Sequence, residues 1–151
     1  MKQTLLLMVM VLGLFHNGQA GSSKPEFTLR FFMQAAKGTN PAQVIALNVP
    51  NPDQIIPVNK FAVLTEKHVA SMMKLPNGGT LVTLTDSGSK IMDTETSNNV
   101  GNVMVVLCNG RVIYAPEIDA PLRSGKIMLP PGLADSDYQL FENYAKKREK
   151  M

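Results

Sequence analysis

The sequence predicts a single α+β domain: a mainly antiparallel sheet with a central hairpin and about three helices packed on it. Three observations predict this class. Residues 103–108 form an unbroken apolar run, Asn109-Gly110 follows, and residues 111–115 return as a second run. Asn-Gly suits a two-residue turn because both of its central positions need positive φ. Phe27, Leu29, Phe31 and Met33 alternate with Thr28 and Arg30, the period of a half-buried strand. Helix-entry signals stand at Thr65, at Thr85 or Asp86, and at Ser136.

Taken in order, residues 1–20 read as a secretory signal. Lys2 opens it, and the apolar run 5–15 falls short of the roughly 20 residues of a membrane span. Gly18-Gln19-Ala20 offers small residues for cleavage near Ala20, with an uncleaved anchor as the alternative. An exported protein, periplasmic or otherwise outside the cytoplasm, is expected, with no stable membrane span in the mature chain. Residues 21–26 are a flexible lead-in to one domain over 27–151.

The first strand, 27–33, places Phe32 out of step with its neighbours, as a residue covering a second face. Residues 36–43 are a loop and 44–49 a strand. Pro50-Asn51-Pro52-Asp53 is a turn, and 55–63 is an extended stretch that Pro57 assigns to an edge. Thr65 opens an expected helix, with Leu64 and Val69 as its hydrophobic staple and Val69, Met72 and Met73 as its apolar stripe; residues 76–79 stop it. Residues 80–84 form a strand, and the next helix buries Ile91 and Met92. After the hairpin, Pro116 ends the pairing because it has no N–H to give. Residues 126–129 are a strand, and Ser136-Asp137-Tyr138-Gln139 is a capping box for a last helix with Tyr138, Phe141 and Ala145 on one stripe.

Composition narrows the function. A chain of 151 residues with 44% hydrophobic content has room for one real core. The net charge of +3 resides in the tail, where Lys146, Lys147, Arg148 and Lys150 outnumber Glu149. The body is near neutral, which argues against nucleic acid as a partner. The basic tail itself suits the negative end of a helix dipole. Cys108 is the single cysteine and lies in the apolar run, as a buried, inert thiol does. Beyond residue 20 the one histidine is His68, so no nucleophile–base set, metal cluster or cofactor motif is legible. Glu117 and Asp119 share a face of an extended chain, but no aromatic floor accompanies them.

What remains is binding. Seven methionines follow residue 20. Their flexible, polarizable side chains suit surfaces that accept varied apolar partners. Met72, Met73 and Met92 are the candidate contacts, because adjacent Met72 and Met73 cannot both point into the core.

The hairpin and its continuation also resemble a known family. Asn109-Gly110-Arg111-Val112, then Ala115-Pro116, then Gly125 before a further strand, is similar to the head subdomain of the first large periplasmic domain of SecD/SecDF. Thr96 and Gly101 match the Thr and later Gly that precede that hairpin. The likeness is strongest over 60–145. It departs at Asn109, where the family usually has Asp, and at Leu129-Pro130-Pro131-Gly132. The resemblance implies a non-catalytic exported module that contacts unfolded or exported polypeptide, or translocon or envelope components. The alternative is a structural or assembly protein that binds one specific folded partner.

Overall fold

The computed structural model describes residues 24–50 and 52–151, so the expected signal segment and the first half of the lead-in lie outside the described residues. Among the described residues, eight strands form three small antiparallel sheets. The first joins β1 (Leu29–Met33), β6 (Met104–Cys108) and β7 (Arg111–Tyr114), with β6 in the middle. The second is the hairpin of β2 (Val44–Val49) and β3 (Gln54–Asn59). The third joins β4 (Val69–Lys74), β5 (Thr80–Leu84) and β8 (Lys126–Leu129), with β5 in the middle. The described residues also form two α-helices, α1 (Asp86–Asn98) and α2 (Asp135–Arg148). No helix among the described residues is long and apolar enough to cross a membrane.

The continuous apolar character of β6 follows from its place, because it is covered on both faces. Leu29, Phe31, Met33, Met104, Val106 and Cys108 face the main core with α1, α2 and the third sheet. Phe32 and Val105 face the β2–β3 hairpin, where they pack with Val49, Ile56 and Val58. Phe32 therefore covers a second face, as its break in the alternation indicates. The turn at Asn109 (φ 48°) and Gly110 (φ 79°) has the positive φ pair that Asn-Gly was expected to supply.

Residues 65–74 correct the expected first helix. A single 3₁₀ turn, Glu66–His68, leads into strand β4, so the described residues hold two α-helices rather than three. The signal was ambiguous for a physical reason. A β-bulge between Val69 and Ser71 shifts the strand's phase, so Val69 and Met72 both face inward with the three-residue spacing of a helix. Asn77-Gly78 is a second Asn-Gly hairpin turn, not a helix stop: Gly78 has φ 83°, and the Leu75 N–H donates to the Gly79 carbonyl at 2.8 Å. Pairing with β5 outweighs the helix preference that Ala70, Met72, Met73 and Lys74 carry.

Both helices are held mainly by tertiary contacts. Thr85 Oγ1 accepts from the Gly88 N–H at 3.1 Å and caps α1. Met92 and Thr96 are fully buried on its inner side. Thr96 Oγ1 donates to the Met92 carbonyl at 2.6 Å and accepts from the Leu122 N–H at 2.8 Å, tying α1 to the loop before β8. Helix α2 starts one residue before Ser136. Its capping group is the carboxylate of Asp137, whose Oδ2 accepts from the Ala134 N–H at 2.8 Å. The capping box expected at Ser136 is thus replaced by Asp137. The far end of α2 is pinned by Arg148, which donates to the Val69 carbonyl at 2.7 Å.

Candidate functional site

The sheet β4–β5–β8 has one face in the core and one face open. Along β5, Thr80, Val82 and Leu84 are buried, while Leu81 and Thr83 point outward half-buried. Pairing sets Met73 opposite Leu81, and Leu81 opposite Met128. Directly paired residues share a face, so these three side chains form one apolar row across the sheet. Met73 is 53% exposed and Met128 59% exposed, large values for apolar residues within a strand. The adjoining row, Ser71, Thr83 and Lys126, is polar and carries a single positive charge.

The three candidate methionines separate accordingly. Met73 lies on the open face. Met72 points the other way, half-buried against the core. Met92 is fully buried in α1, and this corrects its reading as a contact residue: no partner can reach it in the folded chain. The sequence reading missed Leu81 and Met128. The alternation in 80–84 and 126–129 carried their signal, but only the register shows that they align with Met73.

The residues of the SecD-like pattern hold the framework. Thr96 links α1 to Leu122, as above. The Gly101 N–H donates to the Ile118 carbonyl at 2.8 Å, and the Pro116 carbonyl accepts from the Met104 N–H at 2.9 Å. Gly125, at φ 66°, lies against Ser89 of α1, so a side chain there would meet both strain and contact.

Asn109 does more than turn the chain. Its Oδ1 accepts from the Thr28 N–H at 2.9 Å, and its Nδ2 donates to Asp137 Oδ1 at 2.7 Å. Arg111 donates to the other oxygen, Oδ2, at 2.6 Å. The buried Asp137 carboxylate thereby joins the hairpin to the start of α2. Burial opposes its charge, but the bonds from Asn109, Ala134 and Arg111 outweigh that cost and hold its pKa below the usual carboxylate range.

Catalytic chemistry finds little support in this geometry. Burial pushes the Cys108 thiol up to about 12, with Asp137 adding to the rise and Arg111 opposing it. His68 Nδ1 accepts from the Thr65 N–H at 3.1 Å, a structural role within the 3₁₀ turn. Glu117 and Asp119 are exposed on either side of the buried Ile118. No group of three or more His, Cys, Asp or Glu among the described residues could hold a metal ion. A groove of about 570 Å³ runs between residues 25–28 and α2, over Phe27, Leu140 and Tyr144, and its rim mixes charges of both signs.

Comparison with solved structures finds the same fold in SecDF. A structure described as a membrane component SecDF that enhances protein export superposes with TM-score 0.55 at 14% identity, over 78% of this chain and 60% of that one. A second, SecDF in a super-membrane-facing form, gives TM-score 0.53 at 16% identity, over 76% of this chain and 18% of that one. The chain thus has a SecD-like fold and spans less than two thirds of either SecDF chain. No family model and no curated protein matches the sequence.

Proposed function

We propose that this chain is an exported, non-catalytic binding module that holds extended apolar stretches of non-native polypeptide on the open face of the β4–β5–β8 sheet. The observation that carries this reading is the aligned row Met73–Leu81–Met128. The SecD-like fold supports it by placing the chain beside a protein described as enhancing export.

The size of the row indicates how the module works. Covering the exposed parts of three such side chains contributes about 2–4 kcal/mol. An affinity of 1 mM corresponds to about 4 kcal/mol, so the row alone gives weak, rapidly reversible contact. Such contact suits holding a segment in transit rather than storing it.

The test is suppression of aggregation of several unrelated unfolded proteins, with Met73→Lys and Met128→Lys combined as the variant. Both side chains are exposed, so the variant keeps the fold. The wild-type chain, in excess over client, is expected to delay aggregation of all the clients, and the variant to lose most of that effect. No suppression by the wild type, together with tight binding to one folded envelope protein, would instead support the structural or assembly role.

A further inference from the structure

We infer that the outer edge of β4 is a strand-addition site, at which an extended segment joins the sheet as a fourth strand beside Met72–Lys74. This rests on the proposed polypeptide-holding function and names its mode of contact.

The phase of the hydrogen-bond ladder makes the case. The Leu75 N–H donates to the Gly79 carbonyl at 2.8 Å. Bonded pairs in an antiparallel ladder recur every second residue. Met73 is therefore bonded to Leu81 and Ser71 to Thr83, given the register of the two strands. The N–H and C=O groups of Met72 and Lys74 consequently point away from β5. No partner for any of the four occurs among the described residues. On the other side of β5, the Leu84 N–H donates to the Gly125 carbonyl at 2.8 Å, so Val82 and Thr80 bond to β8. The two ladders use alternate residues of β5 and agree in phase.

The opposite edge is blunted at both of its ends by its own residues. On β8 the outward groups belong to Lys126 and Met128. The Lys126 N–H donates to Ser124 Oγ and its carbonyl accepts from the same hydroxyl, both at 3.2 Å. Pro130 and Pro131 follow at once. These are ways of blunting an edge. At β4 the bulge and Arg148 on the Val69 carbonyl blunt the start, and beyond it Lys74, ion-paired to Asp135, is the one charged side chain. From Met72 to Lys74 the edge is open.

The occupant is a segment of another polypeptide with apolar residues at alternate positions. An added strand would place every second side chain beside Met73, extending the row through Leu81 to Met128. Lys126 is the one charge on that face and carries no ion pair among the described residues, so a neutral or acidic segment fits better than a basic one. Two copies of this chain joined through Met72–Lys74 alone would share far less than the about 1,200 Å² that a stable interface buries. A second copy is therefore disfavoured.

The experiment uses a peptide of about eight residues with alternating leucines, and two versions N-methylated at alternate backbone amides. Binding to the full chain is read by titration. One N-methylated version is expected to lose at least tenfold in affinity, and the other to match the parent. On the protein side, Lys74→Pro removes an outward N–H without touching the β5 ladder, and Lys74→Ala controls for loss of the Lys74–Asp135 ion pair. Lys74→Pro should weaken the parent peptide about tenfold, and Lys74→Ala should leave it nearly unchanged. Equal binding of the two methylated versions, or an unchanged Lys74→Pro, overturns strand addition while leaving binding on the face intact. Concentration-dependent dimerisation that Lys74→Pro abolishes would overturn the choice of occupant. Absence of binding by any unfolded polypeptide removes the underlying function as well.

Discussion

Replacing Asn109 with Asp is expected to destabilise the fold by about 2–4 kcal/mol near neutral pH, although the side chain keeps its size. Asn109 Nδ2 donates to Asp137, which is only 4% exposed. The substitution sets a second carboxylate at that distance, and Arg111 alone remains to offset both charges. The left-handed backbone of the turn suits either residue, so the effect isolates the electrostatics. This gives a reason for the departure from the SecD-like pattern at this position: here the hairpin turn faces a buried acid on α2, and an amide bonds it where an acid would repel it.

The same group fixes an acid dependence. The folded-state pKa of Asp137 is depressed, so its contribution to stability is present above the unfolded Asp value of about 4 and is lost as pH falls through the lower folded value. Denaturant unfolding at roughly pH 7 and pH 3 should show wild-type stability falling on acidification. The deficit of Asn109→Asp should narrow over the same interval, because two facing carboxyls take up a proton more readily than one. Asp137→Asn should lose its share of the acid slope. An Asn109→Asp protein as stable as wild type at both pH values would contradict the assigned role of the cluster.

Met92→Ala is expected to cost about 2–5 kcal/mol, the range for truncating a large, fully buried apolar side chain. Met92 packs in the core shared by β1, β5, β6 and α2, and there is little room for neighbours to fill the void. Under conditions where the variant remains folded, polypeptide binding should be unaffected, because the side chain reaches no surface. Thermal unfolding and client binding measured on the same preparation check both halves. A small stability loss with a large binding loss would return Met92 to the contact surface.

The parts of the fold that were legible have local causes. Asn109-Gly110 and the apolar run before it specify the hairpin. The alternation in 27–33 and the misfit of Phe32 specify a strand covered on both faces. Thr85 announces α1 by a bond it actually makes. The misread stretch, 65–74, failed because the bulge after Val69 gives a strand the spacing of a helix, and because Asn77-Gly78 was read as a stop rather than a turn. The candidate site was half legible for a related reason. That one of two adjacent methionines must face outward follows from geometry in either a helix or a strand. That Met73 is joined there by Leu81 and Met128 depends on pairing between segments distant in sequence, which no local pattern encodes. The role of Asp137 was hidden in the same way, since its partners Asn109 and Arg111 lie on a different hairpin.

Photocrosslinking in cells reads the contact itself, with a photoreactive side chain at position 73 on the open face and, as a control, at position 117 away from it. Polypeptide holding on the open face predicts that position 73 captures a broad smear of exported polypeptides and that position 117 captures little. One sharp band from position 73, or equal smears from both positions, would contradict it.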